Sequence, residues 1–295
     1  MRRLAALLLC VLLLSGCAAA PERNSVPTAE PAAPSPLPTA PEHPYEPLRV
    51  YLDGLLTDRG YLRNGTAYLA PETICAYYGL AHEETADAQN FSLTLPGLTV
   101  TGSRNLSWFL ADGRYLYAPD GWIEADGRLY LPAETIEHIF GLPVTLSGEP
   151  LRAEVGSTGY RLLQGGEDYY EKAFHADDLY WLEHIIYAEA HHESLACQIG
   201  VGNVVLNRLA HRDFPGTITG VVLDREHTVQ FEPVGSGEVA AEPDETARIA
   251  ARLCLEGFNT AGDSLYFVNP ARGDPSWFSS SLRFVCRIGH LDFYR

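Results

Sequence analysis

The alternation of apolar and polar positions changes character along the chain, and each change predicts a different element. An unbroken apolar run from Leu4 to Leu14 comes first; its eleven residues are too few for a membrane span. From Pro21 to Pro47 periodicity disappears, and nine prolines stand among Ala, Ser, Thr and Glu. Such a composition builds no core and favours polyproline II. From Leu48 to about Val155 short alternating stretches separated by glycine turns predict strands. Beyond Asp178 the period lengthens. At about 100° per residue, Leu182, Ile185 and Ile186 fall in one helical stripe. Glu189 falls in the same stripe, and continuing the helix brings Glu193 round one turn later.

The strand-rich stretch carries an internal repeat. Laying Asn64-Gly65 on Asp126-Gly127 superposes Tyr68-Leu69 on Tyr130-Leu131, Glu72-Thr73-Ile74 on Glu134-Thr135-Ile136, and Gly79-Leu80 on Gly141-Leu142. Each copy reads as strand, turn, strand and a short helix stopped by glycine. Pro71 and Pro132 stand at or near the first helical position, where a missing N–H costs little. Of the aromatics here, Tyr61, Tyr77, Tyr78, Trp108 and Trp122 are the ones that could stay exposed and contact a ligand, although core packing explains most aromatics in a domain of this size.

Further helices are predicted over Leu195 to His211, with Leu195, Ile199, Val205, Leu206 and Leu209 on the buried side, and from Pro243 to Gly257. Ser264 to Val268 and Phe284 to Ile288 read as strands. The predicted class is α+β, with C-terminal helices around a small sheet. The chain divides into 1–17, a signal segment; 18–47, a proline-rich linker; 48–155, the duplicated hairpin-and-helix module; 156–177, a connector; and 178–295, the helical domain.

Charge and cysteines narrow the setting. Arg2 and Arg3 precede the apolar run, and Leu14-Ser15-Gly16-Cys17 has the small-residue pattern of a bacterial lipoprotein cleavage site. Cleavage there would leave Cys17 diacylated, anchored on the outer face of the cytoplasmic membrane. The linker of about 27 residues, at roughly 3.1 Å each, would then reach near 80 Å from the membrane. The full chain carries a net charge of −17, and losing Arg2 and Arg3 takes it to −19. A surface this acidic repels nucleic acid, which is excluded as a partner. Of the cysteines that remain, Cys75, Cys197 and Cys254 lie in apolar or helical patterns and read as small buried hydrophobes. A Cys254–Cys286 disulfide is open to an exported chain. Without a Cys-x-x-Cys pair, no structural zinc site and no cofactor is expected.

Glu189 is the chemical candidate. A carboxyl on an apolar face, with Glu193 nearby, is expected to hold its proton unusually high and so serve as a general acid near neutral pH. A core Glu bonded to backbone or Arg is the other reading of the same position. For Glu193 two roles stand, raising the proton affinity of Glu189 or bonding backbone. Around a cleft, Gln230, Asn269 and His290 would supply hydrogen bonds, and Tyr266, Phe267 and Trp277 stacking faces. Asn207 reads equally as a helix-to-loop bond or a ligand contact.

From Leu179 to Tyr294 the chain resembles the bacterial cell-wall hydrolase family that includes the spore-cortex-lytic enzymes. The resemblance is carried by Tyr187-Ala-Glu-Ala-x-x-Glu193, Gly200-x-x-Asn203-Val-Val-Leu-Asn207-Arg208, Phe214-Pro215, Gln230-Phe231, Tyr266-Phe267-x-Asn269-Pro270 and Gly289-His290-x-x-Phe293-Tyr294. It implies a lysozyme- or transglycosylase-like catalytic domain that cuts the glycan of peptidoglycan, with Glu189 as catalytic acid; Gln230 and His290 fall in its motifs, and the residue chemistry puts Glu193, Gln230, Tyr266, Asn269 and His290 on the substrate side. The repeat in turn resembles the module named after the N-terminal domain of copper amine oxidases. It holds just His82 and His138, at unrelated positions in the two copies, so no copper site is expected.

A glycosidic oxygen leaves only when protonated, so glycan cleavage needs an acid beside it. With no second carboxylate assured, the expected route is lytic transglycosylation, in which the muramyl C6 hydroxyl closes on C1. Hydrolysis stays open, with Glu226, Glu232 or Glu238 holding a water. Two rivals stand further off. One is a zinc amidase built on His184, His191, His192 and Glu193, opposed by the lack of His-Glu-x-x-His and by a register that reads these histidines as a solvated face. The other is a wall-binding lipoprotein without activity.

Overall fold

The computed structural model describes residues 44–156, 159–165, 176–224, 231, 238–272 and 276–295, with residue 238 described by its backbone. Cys17 and the apolar run, the linker up to residue 43, Gln230, Glu226 and Glu232 lie outside the described residues, as does the side chain of Glu238. The class is α+β: two β-sheets precede a group of helices that packs on a third, small sheet.

In the N-terminal part, β1 (Glu46–Leu52), β2 (Leu55–Arg63) and β3 (Thr66–Leu69) run antiparallel into helix α1 (Pro71–Tyr78). Five short strands follow, β4 (Glu83–Ala86), β5 (Asn90–Leu95), β6 (Leu98–Ser103), β7 (Trp108–Ala111) and β8 (Arg114–Tyr117), pairing in that order as an antiparallel meander. The chain then repeats its opening motif with β9 (Ile123–Ala125), β10 (Arg128–Pro132) and helix α2 (Ala133–Phe140), and ends in β11 (Val144–Ser147) and β12 (Arg152–Val155). Strand β12 pairs parallel with β1, and β10 pairs with β3, giving a seven-stranded sheet of order β11-β12-β1-β2-β3-β10-β9.

The turns follow from local chemistry. Asp53-Gly54, Asn64-Gly65, Asp112-Gly113 and Asp126-Gly127 all have positive φ at both positions, the conformation of the type I′ turn that matches hairpin twist. Gly79 and Gly141 stop α1 and α2 in the left-handed region. The meander was not foreseen, although Asp112-Gly113 carries the same signal as Asn64-Gly65. Contrary to the expectation of exposed rings, Tyr61 and Trp122 are core residues at 2% and 0% exposure. Tyr61 meets Tyr130 edge to face, and Trp122 lies against Phe91. A half-buried sheet satisfies large apolar rings inward first.

In the C-terminal part, α3 (Ala176–Ala190) and α4 (Leu195–Leu209) are joined by a short turn, and the short α5 (Ile218–Val222) and the longer α6 (Glu245–Glu256) follow. Ser194 caps α4 by accepting from the Cys197 amide (3.4 Å), and Asp244 caps α6 by accepting from the Ala247 amide (2.8 Å). Strand β13 (Tyr266–Val268), helix α7 (Ser276–Ser281), β14 (Phe284–Ile288) and β15 (Leu291–Tyr294) follow, with β15 central in the order β13-β15-β14. Helix α4 is buried on more sides than the sequence suggested, because it lies among α3, α6 and the small sheet. Gly200, Val201, Gly202, Asn203 and Val204 are all buried, whereas Leu206 and Leu209 are half-buried. A methyl group on Gly200 would sit 2.8 Å from the Phe293 ring, and one on Gly202 2.9 Å from Ile186. Gly200 therefore lets the small sheet, and Gly202 the neighbouring helices, approach α4 closely.

His43–Arg295 forms one compact unit. Arg114 on β8 grips the Glu256 carboxylate at the end of α6 with two hydrogen bonds (2.7 and 2.5 Å). Beside it the His138 ring stacks on Phe258 at 4.3 Å. Among the described residues, no helix is long and apolar enough to cross a membrane.

Candidate active site

The apolar stripe of α3 is buried, with Leu182, Ile185 and Ile186 each at 0% exposure. Glu189 stands on the last turn of α3, half-buried, with its Oε1 shielded from solvent. A helix C-terminus is the negative end of the peptide dipole, and it favours a neutral group over an anion.

Arg208, on the last turn of α4, supplies the opposing influence. It is 2% exposed. Its Nε donates to the Leu265 carbonyl (2.7 Å), and its guanidinium lies 5.3 Å from the Phe214 ring, 5.1 Å from Phe231 and 5.3 Å from Tyr266. Burial pulls its proton affinity down, to about 10, against the opposing fields of Tyr266, Asp224 and Glu189. It stays charged at neutral pH and acts on both carboxylates. Sequence reasoning missed this residue as a functional group. Yet Val201, Val205 and Arg208 share a stripe as Ile185 and Glu189 do, so the signal was available.

Glu193 is not on the helix of Glu189, which corrects the sequence reading. Helix α3 ends at Ala190, and Glu193 sits in the turn before Ser194. The cause is the N-cap of α4: Ser194 needs extended backbone (φ −63°, ψ 157°), which breaks any continuous helix. Freed from α3, the Glu193 carboxylate turns to the β14–β15 hairpin, where His290 donates from its backbone N–H (3.3 Å) and its Nδ1 lies 2.9 Å away. Any side chain on Gly289, whose φ is 58°, would strike Glu193 Oε2. Glu193 is thus the anchor of that turn, and His290 points outward with 77% of its side chain exposed.

The other predicted residues separate. Tyr266 joins the Arg208 cluster. Asn269 Oδ1 accepts from the Ala271 amide (3.0 Å) and so shapes its own turn. Asn207 makes the helix-to-loop bond, donating to the Gly262 (2.8 Å) and Ser264 (2.9 Å) carbonyls. Trp277 is 55% exposed, and Phe267 packs near Phe293 on the inner face of the small sheet. His184 is not on a solvated face, as the register had suggested; it is 6% exposed, with Nδ1 2.7 Å from the Tyr180 carbonyl and its ring against Tyr180 at 3.9 Å. Cys254 and Cys286 are free thiols, as are Cys75 and Cys197, so the disulfide is absent. Cys254 on α6 instead directs its Sγ to the Ile199 carbonyl of α4 (3.3 Å).

Comparison with known proteins places this segment. Residues 192–294 match the family described as Cell Wall Hydrolase; the match begins just past Glu189. A spore cortex-lytic enzyme of Halalkalibacterium halodurans is 33% identical over 113 residues, covering 38% of this chain and 33% of that protein. Another, from Bacillus subtilis, is 31% identical over 104 residues, covering 35% of this chain and 33% of that protein. The chain thus spans about a third of the length of the curated relatives it matches. The solved catalytic domain of the germination-specific lytic transglycosylase SleB from Bacillus anthracis aligns with a TM-score of 0.39 and 27% identity, covering 42% of this chain and 98% of that one.

Proposed function

We propose that this chain cleaves the glycan strands of peptidoglycan by lytic transglycosylation, with Glu189 acting first as acid and then as base. The observation that carries the reading is the half-buried Glu189 carboxyl between two opposed influences, the negative end of α3 and the buried Arg208 guanidinium. A single group that must hold a proton and then persist as an anion is served by both. Similarity to proteins named spore cortex-lytic enzymes supports the substrate class.

In the first step Glu189 gives its proton to the glycosidic oxygen as the C1–O bond breaks and positive charge grows on the sugar ring. The Glu189 carboxylate then takes the proton of the muramyl C6 hydroxyl while that oxygen bonds to C1, giving a 1,6-anhydro end and restoring the acid. Arg208 touches neither sugar in this scheme. It stabilises the carboxylate between the steps, as preorganised charge does in a site with little water. Tyr266 lies over Arg208 and offers a ring face toward the sugar. Attachment through Cys17 at the outer face of the cytoplasmic membrane, with the proline-rich stretch as the reach into the wall, belongs to the same proposal.

One observation favours a second reading, hydrolysis by a muramidase route. Asp224, at the end of α5, acts on the same guanidinium as Glu189, and a second carboxylate could hold the attacking water. Mass spectrometry of fragments released from purified sacculi separates the two. A product lighter by one water than a reducing muropeptide supports transglycosylation; a reducing end supports hydrolysis. Glu189→Gln is expected to lower release by roughly 10²- to 10⁴-fold, and release equal to the wild type would remove Glu189 from the chemistry.

A further inference from the structure

The small C-terminal sheet presents an aromatic row of which the site described above uses only Tyr266. Its pairing sets Tyr266 of β13 opposite Tyr294 of β15, and Tyr294 opposite Phe284 of β14. Residues directly opposite one another project from the same face of a sheet, so these three rings form a line across it. The other face carries Phe267 and Phe293, and that face packs on α4. Helix α7 adds Trp277, 6.3 Å from Tyr266, and Phe278, 5.7 Å from Tyr294.

The row is unequal in exposure. Tyr294 is buried at 4% and forms the floor, whereas Trp277 and Phe284 stand out at 55% and 52%. Phe284 meets Tyr294 edge to face at 78°, with ring centroids 5.6 Å apart. Exposed apolar rings aligned along one face mark a binding surface more often than scattered single ones do. At the Phe284 end the row opens to solvent. At the other end Tyr266 and Phe214 lean on Arg208, so the row starts at the Glu189 cluster.

We propose that this row, from Tyr266 and Trp277 to Phe284, is a stacking platform that holds the glycan strand several sugars away from the bond being cut. Amino-sugar rings present flat C–H faces that lie on aromatic rings. A second copy of the chain is the less suited occupant, because a net charge of −17 opposes self-association. The platform rests on the glycan-cleaving reading for its ligand, and its mechanical consequence is a dependence on strand length: a long strand reaches Phe284, whereas a short fragment engages the Glu189 site alone.

The test uses the full chain as wild type, Trp277→Ala, Phe284→Ala, the double variant, Trp277→Phe and, as a control on a distant exposed apolar residue, Leu146→Ala. Two probes are compared, co-pelleting with insoluble sacculi and kcat/KM on sacculi against a soluble glycan tetrasaccharide. The double variant is expected to lose about tenfold in pelleting and in kcat/KM on sacculi and less on the tetrasaccharide, while Phe284→Ala, at the far end of the row, leaves tetrasaccharide cleavage within twofold of wild type and the melting temperature unchanged. Trp277→Phe, which keeps a ring, should recover most of the loss. Pelleting unaffected by the double variant overturns the platform. So does an equal loss on both substrates, which would make these rings part of the cutting site or of the fold, and so does conversion of a wild-type dimer to a monomer in sedimentation. If no protein cleaves either substrate, the cleavage reading fails, and the pelleting arm alone decides the platform.

Discussion

Two arginines in two regions of this molecule meet opposite electrostatic fates. In the N-terminal part Arg128 follows the Asp126-Gly127 turn, and its guanidinium reaches Asp58 (2.8 Å), Glu72 (2.6 Å) and the Thr73 hydroxyl (2.8 Å). Asp58 and Glu72 raise its proton affinity, the hydrogen bond that Arg128 donates to Asp58 most of all. In the C-terminal part Arg208 has rings on three sides and a backbone carbonyl at 2.7 Å, and burial drags its proton affinity down. The first arrangement is saturated, and its charges are used up in holding strands and α1 together. The second keeps its field available to act on Glu189 and Asp224. Perturbation by burial in a cluster of titratable groups is the pattern of functional sites, and a saturated pair is the pattern of structural ones.

Substituting each arginine in turn breaks this comparison most directly. Arg208→Met keeps the apolar stem and removes the charge, and it is expected to lower kcat on sacculi by roughly 10- to 100-fold with little change in KM. Arg128→Met should leave kcat within twofold and lower stability by roughly 1–2 kcal/mol, because the pair is partly solvated. Equal loss of activity in both variants, measured beside urea unfolding, would erase the distinction. Arg208→Lys should recover only part of the rate, since a lysine ammonium cannot spread across three rings as a planar guanidinium does.

The saturated cluster also predicts an acid limit. Burial pushes the Asp58 carboxyl up, but hydrogen bonds from Arg128, Thr73 and the Arg59 amide outweigh it and hold the group below 3.8. A carboxyl depressed in the folded state contributes stability above its unfolded pKa and loses it as pH falls through the folded one. Unfolding midpoints of the wild type should therefore decline below about pH 4, where those of Asp58→Asn change less. Parallel decline in both would show that Asp58 is not the group responsible.

A smaller effect is expected at the hairpin that Glu193 holds. Gly289→Ala places a methyl group against the Glu193 carboxylate and strains a φ of 58°, at about 1 kcal/mol. Its melting temperature should drop, and that of Gly216→Ala, where the added methyl meets nothing within 4 Å, should not. The smallest contrast concerns thiols. Burial pushes Cys75 up to about 11 and Cys197 up to about 12, whereas Cys286 is half-exposed and raised less. In the native protein Cys286 should react first with iodoacetamide, followed by mass spectrometry; faster labelling of Cys197 would place it nearer solvent than described.

Local chemistry was legible where a residue's neighbours in sequence are its neighbours in space. The Asn64-Gly65 and Asp126-Gly127 turns, the glycine stops at Gly79 and Gly141, the Asp244 cap and the buried stripe of α3 all depend on contacts within a few residues. The same locality explains the chief error. Helical periodicity was carried through Glu193, because periodicity has no term for a competing cap, and Ser194 supplied one. Burial of Tyr61, Trp122 and His184 was not legible either, since nothing in a strand or helix pattern says which polar-edged rings another element will cover.

By itself, then, the sequence determined the hairpin turns and helix stops, the longer helices, the α+β class and a carboxyl on the apolar face of α3, because backbone propensity and the hydrophobic period are short-range. Only the tertiary structure decided that Glu193 anchors the Gly289–His290 turn, that Arg208 is the charge acting on Glu189, and that Tyr266, Tyr294 and Phe284 line up across three strands. Each of those depends on strand register or helix packing between residues far apart in the chain. Electrostatic fields and ring contacts follow distance in space, and that distance is set when the core closes.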